Sequence, residues 1–166
     1  MKIFIMKDFT VPDICDENNE IQIGELFLNS YGAINKFYGQ IHTAKCEHSN
    51  SVVKELVQNN GEGKVLCISH TGSELCSMVG DQIAQTAFEN NWAGIITNGY
   101  IRDIEVIKNI NIGIYAFNSF PKKTDKSKGI GEKDVPIKIG NAHIEPGYWI
   151  YVDTNGWVVN KEELEL

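Results

Sequence analysis

The chain has 166 residues, and 15 Lys and Arg against 22 Asp and Glu give it a formal net charge of −7. Hydrophobic residues make up 42% and charged residues 22% of the sequence, which is typical of one globular domain and excludes a disordered chain. The acidic balance argues against direct nucleic-acid binding, which requires clustered Lys and Arg. It leaves open a small anionic ligand held by local positive groups, or a basic protein partner.

The sequence predicts a cytoplasmic protein that does not cross a membrane. Its longest apolar stretches are about five residues, whereas a membrane-spanning helix needs about 20. The apolar residues 3–6 are too short a core for a secretory signal. No Cys-x-x-Cys pair is present, so we interpret the cysteines as reduced thiols of the core, namely Cys15, Cys46, Cys67 and Cys76.

The first third of the chain predicts a helix, a strand and a second helix. Thr10 provides a hydroxyl cap and Pro12 lies in the first turn, so a helix is expected to begin there. Residues 1–9 are expected to form a peripheral terminus. A strand is predicted at residues 40–46. Residues 49–51 then cap a helix whose apolar face carries Val52, Val53, Leu56 and Val57.

The middle third predicts alternating strands and helices. Short apolar runs at residues 65–68, 94–97 and 114–117 are typical of buried strands. A loop at residues 69–73 is expected after the first strand, and the pair Asn98-Gly99 is expected to end the second in a turn. A helix from Asp81 is predicted to align Ile83, Ala84, Ala87, Phe88 and Trp92, and a shorter helix follows Arg102. This order predicts a parallel α/β layer.

The last third predicts mainly β-structure. Residues 122–128 are positively charged and are interpreted as a solvated loop. Four short strands are expected at residues 135–139, 143–145, 149–152 and 157–159, with turns between them. Residues 161–166 are expected to be a peripheral terminus. The predicted fold class is therefore α/β, a mixed sandwich in one domain that spans residues 1–166.

Two loops are candidates for a functional site, because ligands collect beyond the carboxyl ends of parallel strands. The first leads to Gly80 and the helix that begins at Asp81, and the second contains Arg102 and Asp103. Backbone amides at a helix start favour an anion, and an Arg can bind a carboxylate through two hydrogen bonds. A lone Asp suits Mg²⁺ or Mn²⁺, which retain waters. Together these groups predict a site for a small keto acid and a metal.

Simpler interpretations exist for each of these residues. Asp81 alone is most simply a helix cap, and Arg102 with Asp103 is most simply an exposed ion pair. His42, His48 and His143 have no Cys or carboxylate partner at ligand spacing, so a role in metal binding is not predicted for them.

The spacing of the acidic residues and Arg102 resembles a known family motif. Gly80-Asp81, twenty further residues and Arg102-Asp103 are similar to the Asp-x20-Arg-Asp motif of the RraA-like family. The resemblance extends from about residue 11 to residue 160. Further matches, in family order, are residues 43–47, 50 with 53–56, 61–66, 91–94, 98–99, 129–136, 146–147, 151–153, and 156 with 158–159.

The resemblance implies a mixed α/β/β sandwich of the swivelling type and one of two functions. Members are divalent-metal-dependent class II aldolases, which cleave 4-hydroxy-4-methyl-2-oxoglutarate to two pyruvates and decarboxylate oxaloacetate, or regulators of ribonuclease E. For an aldolase it implies that Asp103 binds Mg²⁺ or Mn²⁺ and that Asp81 orients a metal-bound water for proton transfer. Arg102 and the amides of Gly80, Asp81, Gln82 and Ile83 would bind the substrate. A homotrimer is implied as well.

Two features depart from the family pattern. The aldolases carry a further acid after the Arg-Asp pair, at the position of Val106 here, and their glycine-rich loop is replaced by residues 69–73, where His70 could supply a new contact. The retained Asp81, Arg102 and Asp103 favour an enzyme. The alternatives are a non-catalytic regulator that binds ribonuclease E or its DEAD-box helicase partner and inhibits RNA decay, and an enzyme acting on another 2-oxo acid.

Overall fold

The structure is a computed structural model that describes residues 7–166. Met1–Met6, part of the terminus predicted to be peripheral, lie outside the described residues. In chain order the elements are α1 (Val11–Glu17), β1 (Gln22–Ile23), β2 (Asn29–Ser30), β3 (Phe37–Cys46), α2 (Ser51–Val57), β4 (Val65–His70), β5 (Ser77–Val79), α3 (Asp81–Glu89), β6 (Gly94–Ile101), α4 (Ile104–Ile107), β7 (Gly113–Ser119), β8 (Glu132–Lys133), β9 (Ile137–Ile139), β10 (Ala142–Ile144), β11 (Trp149–Asp153) and β12 (Gly156–Asn160).

Strand β3 joins a parallel half of the main sheet to an antiparallel half. The strand order is β1-β12-β11-β3-β4-β6-β7-β2, with β5 paired to β6 and β8 paired to β3. Residues 37–40 of β3 pair antiparallel with β11, and residues 41–46 pair parallel with β4. Strands β4, β6 and β7 continue the parallel half. The strands β9 and β10 form a separate hairpin.

Alternate side chains of β4 enter two different cores, which explains the layered architecture. Leu66 and Ile68 pack with the apolar faces of α2 and α3, whereas Val65 and Cys67 pack on the opposite face with the β9–β10 hairpin. A central parallel strand buried on both faces is expected to be apolar throughout, as residues 65–68 are. The predicted mixed α/β/β sandwich is confirmed.

The pair Asn98-Gly99 does not form the predicted turn, because β6 continues through it to Ile101. The register with β7 shifts between Thr97 and Tyr100, as in a β-bulge. Asn98 Oδ1 accepts the amide of His70 at 2.7 Å, and a Cβ on Gly99 would lie 2.9 Å from the His70 side chain. Asn98 therefore bonds to the neighbouring strand β4, and Gly99 leaves room for the side chain of His70 on that strand.

Other sequence predictions also need correction. Ser69 and His70 belong to β4, not to a loop, because they pair with Lys45 and Cys46 of β3. Trp92 lies beyond the end of α3, and Phe88 is exposed. Phe9, expected in a peripheral segment, is buried edge-on against Tyr38 and Tyr151. Strand β5 was not predicted.

The cysteines are free thiols, and three of them, Cys46, Cys67 and Cys76, are buried. Burial raises the pKa of the Cys46 thiol to about 12. Cys15 is only partly buried. Among residues 7–166, no helix has both the length and the apolar character needed to cross a membrane.

Candidate active site

The parallel pairing of β5 with β6 brings the two candidate loops together. Ser77 is in register with Tyr100 and Val79 with Ile101, and the amide of Arg102 donates to the carbonyl of Val79 at 3.1 Å. Gly80-Asp81 and Arg102-Asp103 therefore leave adjacent strands at the same edge of the sheet. The predicted proximity of the loops is confirmed.

All of the predicted site residues line one cleft of about 230 Å³. They are Gly80, Asp81, Gln82, Ile83, Arg102 and Asp103. The cleft is also lined by residues that the sequence did not predict, namely Asn50, Lys54, Ser77, Lys123, Thr124 and Lys126. Helix α2, strand β5, helix α3, the end of β6 and the loop after β7 thus all contribute to it.

Asp103 connects the two loops through its side chain. Its Oδ2 accepts the backbone amide of Asp81 at 3.1 Å, so it caps α3, whose own N-cap residue Gly80 has no side chain. A Cβ on Gly80 would lie 2.9 Å from the same Oδ2. Asp103 has a left-handed backbone conformation with φ 61° and ψ 42°, which Asp tolerates better than most residues. The carboxylate is thus positioned by the fold itself.

Arg102 places its guanidinium at the cleft with few protein partners. Its Nε lies 4.0 Å from Asp103 Oδ2, and its Nη1 donates to the carbonyl of Pro121 at 3.4 Å. The side chains of Arg102 and Asp103 are 40% and 35% exposed, so both are accessible to a ligand. A guanidinium has five N–H donors, and most of those of Arg102 remain available for a carboxylate.

The amides predicted to bind substrate are partly engaged by the protein. The Asp81 amide donates to Asp103, and the Gln82 amide donates to Asp81 Oδ1 at 2.9 Å. Asp81 itself lies in the first turn of α3 and is not its N-cap, which corrects the simpler interpretation. The helix start thus binds two carboxylates of the chain. A substrate could bind these two amides only by displacing the carboxylates of Asp103 and Asp81 that now accept from them.

The oxygen ligands of the cleft suit a hydrated hard cation. Asp103 and Asp81 provide carboxylates, and Mg²⁺ commonly uses only one or two while keeping several waters. Across the described part of the chain, no group of three or more His, Cys, Asp or Glu side chains could hold a metal. The chemistry of these donors is therefore suited to a hydrated Mg²⁺ or Mn²⁺, although they do not form a complete protein cage.

Three lysines give the cleft a positive charge that the sequence pattern does not predict. Lys54, Lys123 and Lys126 join Arg102 around it, against the carboxylates of Asp81 and Asp103. None of the three lysines forms an ion pair with an acid in the part of the chain that the structure covers. Burial and then the neighbouring charge of Lys126 lower the pKa of Lys54. In the sequence, the positively charged residues 122–128 were a signal for Lys123 and Lys126 but not for Lys54.

The loop that carries two of these lysines is anchored to the fold, which corrects the prediction of a simple solvated loop. Thr124 is buried, and its Oγ1 donates to Asn50 Oδ1 at 2.7 Å. Asn50 Nδ2 in turn donates to the carbonyl of Met78 on β5 at 2.9 Å. This chain of bonds fixes the loop against α2 and β5.

His70 does not supply the new cleft contact that the sequence suggested. It packs edge-on against Tyr100 at 6.1 Å, and its Nε2 lies 4.0 Å from Cys76 Sγ. Burial lowers the pKa of His70. Val106, the other departure from the family pattern, is exposed on α4.

Named relatives match this chain over nearly its full length. The chain is 41% identical over 159 residues to a protein of Ectopseudomonas mendocina named "Putative 4-hydroxy-4-methyl-2-oxoglutarate aldolase", covering 95% of this chain and 98% of that protein. A protein of the same name from Pseudomonas fluorescens is 38% identical over 162 residues, or 97% and 99% of the two chains.

Solved structures share the fold. The RNA-processing inhibitor RraA from Thermus thermophilis superposes with a TM-score of 0.90 at 29% identity, covering 96% of each chain. A protein of Geobacillus kaustophilus described as S-adenosylmethionine:2-dimethylmenaquinone methyltransferase gives a TM-score of 0.89 at 36% identity, covering 94% of this chain and 97% of the other. Residues 11–159 match the RraA-like family, described as Aldolase/RraA. The chain therefore belongs to the RraA-like family.

Proposed function

We propose that the protein is a metal-dependent lyase that cleaves 4-hydroxy-4-methyl-2-oxoglutarate to two pyruvates and decarboxylates oxaloacetate. The observation that carries this proposal is the convergence of Asp81, Arg102 and Asp103 on one cleft at the ends of two parallel strands. The similarity to proteins named as aldolases of this substrate supports it.

Both reactions break a carbon–carbon bond and leave its electrons on C3 of pyruvate. In the aldol cleavage the C3–C4 bond breaks, the 4-hydroxyl loses its proton, and the second pyruvate departs. In the decarboxylation the C4 carboxylate departs as CO₂. In each case the electron pair forms an enolate, which is then protonated at C3. The site must therefore stabilise negative charge on the C2 oxygen.

Arg102 is the group of this chain best suited to that charge. Its guanidinium has few protein partners, so it can bind the substrate's C1 carboxylate and lie beside the keto oxygen. Asp103 would hold Mg²⁺ or Mn²⁺, which when bound acts as a Lewis acid on the keto group. The remaining positive charge comes from the lysines around the cleft.

Asp81 is assigned to proton transfer. The amide of Gln82 holds its Oδ1 at 2.9 Å, which fixes the carboxylate at the start of α3. From there it can accept the proton of the 4-hydroxyl, directly or through one water. Gly80, Gln82 and Ile83 shape the wall of the cleft.

We also propose that the protein assembles as a homotrimer in the cytoplasm. Large exposed apolar side chains such as Phe27 and Ile130, which are 90% and 65% exposed, support contacts between copies. The free thiols support a reducing compartment.

A regulatory role is the second candidate, and it is compatible with the first. The similarity to the RNA-processing inhibitor RraA and the net charge of −7 support binding of a basic segment of ribonuclease E or of a DEAD-box helicase. Such a complex would weaken as salt increases. If no ribonuclease E or helicase segment binds at low ionic strength, this second role is excluded.

The decisive experiment is pyruvate release from each substrate with Mg²⁺ or Mn²⁺ added, and with a chelator as the metal-free reference. The variant is Asp103→Ala, and Glu105→Ala is the matched control, because Glu105 lies two residues away on α4 and does not line the cleft. We expect activity with metal, loss in Asp103→Ala and retention in Glu105→Ala. Absence of pyruvate from both substrates, or an unchanged rate in Asp103→Ala, would refute the proposal.

A further inference from the structure

Within residues 7–166, one buried polar side-chain atom beside the cleft has no hydrogen-bond partner. Ser77 is 4% exposed, and its hydroxyl Oγ is buried and unpaired among the described residues, although Ser77 lines the cleft. Leaving a buried hydroxyl unpaired is unfavourable, so such a group in a native structure calls for an explanation. A ligand that enters the cleft can provide the missing partner.

Ser77 lies at the opposite end of β5 from the Arg102 site. Three residues of extended chain separate it from Gly80, which corresponds to about 10 Å. Its backbone is held on both sides, since it is in register with Tyr100 of β6 and its amide donates to the carbonyl of Lys122 at 2.8 Å. The backbone of Ser77 is therefore held in a fixed place, three residues along the chain from Gly80.

Lys123 lies beside Ser77 on the neighbouring segment. The two residues form a parallel β-bridge, and paired residues of neighbouring strands project their side chains to the same face. Both line the cleft, together with Lys54 and Lys126. These lysines have no acidic partner in the described chain, although the protein as a whole carries −7. Positive charge concentrated in this way attracts an anion.

We propose that Ser77 Oγ and the ammonium group of Lys123 bind the second carboxylate of a dicarboxylic 2-oxo acid while Arg102 binds the first. This inference rests on the proposed function for the position of the reacting end. It makes Ser77 and Lys123 determinants of specificity for dicarboxylic over monocarboxylic acids. Lys54 and Lys126 strengthen the local field. Neither Ser77 nor Lys123 takes part in breaking the bond.

Binding of two unreactive acids tests the subsite. The probes are 2-oxoglutarate, which lacks the 4-hydroxyl required for aldol cleavage, and pyruvate, each measured by calorimetry with Mg²⁺ present. The variants are Ser77→Ala and Lys123→Gln. The control is Lys122→Gln, because Lys122 is the adjacent residue of the same loop and does not line this cleft.

We expect Ser77→Ala and Lys123→Gln to weaken 2-oxoglutarate binding about tenfold to a hundredfold and to leave pyruvate binding unchanged. Lys122→Gln should leave both unchanged. A melting temperature of Ser77→Ala equal to or above the original is also expected, because the variant removes an unpaired buried hydroxyl.

Three results would overturn the subsite. In the first, the variants weaken the binding of both acids equally, and in the second, both variants bind 2-oxoglutarate as tightly as the original protein does. In the third, the original protein binds 2-oxoglutarate no more tightly than pyruvate. The proposed reaction is judged separately. If 2-oxoglutarate binding depends on Ser77 and Lys123 but neither proposed substrate releases pyruvate, the subsite stands and the reaction fails. If pyruvate is released and the variants bind both acids normally, the reaction stands and the subsite fails.

Discussion

The carboxylate Oδ2 of Asp103 lies 3.1 Å from the backbone nitrogen of Asp81, so the proposed metal ligand also caps the helix that carries the proposed proton acceptor. One side chain thereby fixes the relative positions of two parts of the site. Because of this double role, a substitution of Asp103 tests the chemistry alone only if the new side chain still accepts the amide of Asp81.

Asp103→Asn should retain the cap and lose the activity. Asn can still accept the Asp81 amide and tolerates the left-handed conformation of residue 103, but it carries no charge for a cation. We expect near-original thermal stability and a fall in pyruvate release of about a hundredfold or more. Asp103→Ala should in addition lose about 1 kcal/mol of stability. If Asp103→Asn retains full metal-dependent activity, the charge at this position is not required.

Gly80→Ala should disturb the same contact from the opposite side. The added Cβ would lie 2.9 Å from Asp103 Oδ2, so the carboxylate must move. We expect a lower affinity for Mn²⁺, measured by calorimetry, and reduced pyruvate release. Gly129→Ala is a useful control because a Cβ there meets no atom within 4 Å, although its φ of +104° adds strain. Unchanged Mn²⁺ affinity in Gly80→Ala would show that the carboxylate tolerates displacement.

The sequence predicts the residues at the end of β6 and at the start of α3 better than it predicts the other residues that line the cleft. The apolar strands and the amphipathic helix predict that Asp81, Arg102 and Asp103 lie at one edge of the sheet, and the resemblance to the family motif is what singles them out as candidate site residues. Strand β5 was missed because Ser77–Val79 is short and its pairing with β6 is decided by the tertiary fold. Lys54 and Lys123 are 69 positions apart in the sequence, and only the anchored loop places them at one cleft.

The prediction of a turn at Asn98-Gly99 was wrong for a related reason. The dipeptide is a strong local turn signal, yet the Asn98 side chain bonds the neighbouring strand and the glycine admits His70. Local pattern could not reveal either contact, since His70 is 28 residues away in the chain.

Alkaline pH should destabilise the protein through Cys46. Burial raises the pKa of this thiol from 9.0 to about 12 in the folded state. The folded state therefore holds the proton more tightly, and its stabilising contribution is lost as pH rises from 9 toward 12. Between pH 8 and 10 we expect the free energy of unfolding of Cys46→Ala to fall by roughly 1 kcal/mol less than that of the original protein.

Urea unfolding at the two pH values measures this difference. The quantity compared is the slope of the unfolding free energy against pH. A pH-independent loss of stability caused by the smaller side chain does not change this slope. Equal slopes in the two proteins would show that Cys46 ionises as readily in the folded state as in the unfolded state.

Thr124→Val should loosen the loop that carries Lys123 and Lys126 while leaving the charges of the cleft unchanged. The substitution preserves the side-chain shape but removes the hydroxyl that donates to Asn50 Oδ1 at 2.7 Å. A buried acceptor left unpaired costs about 1–3 kcal/mol, which denaturant unfolding would detect. Because Lys123 would be less fixed, KM for a dicarboxylic substrate should rise while kcat changes little. Ser127→Ala is the control. The hydroxyl that it removes donates to the exposed Asp125 of the same loop, so the substitution should change neither quantity. A fall in kcat with unchanged KM would indicate that the loop acts on the chemical step, and the positioning role of the Thr124–Asn50 bond would then be wrong.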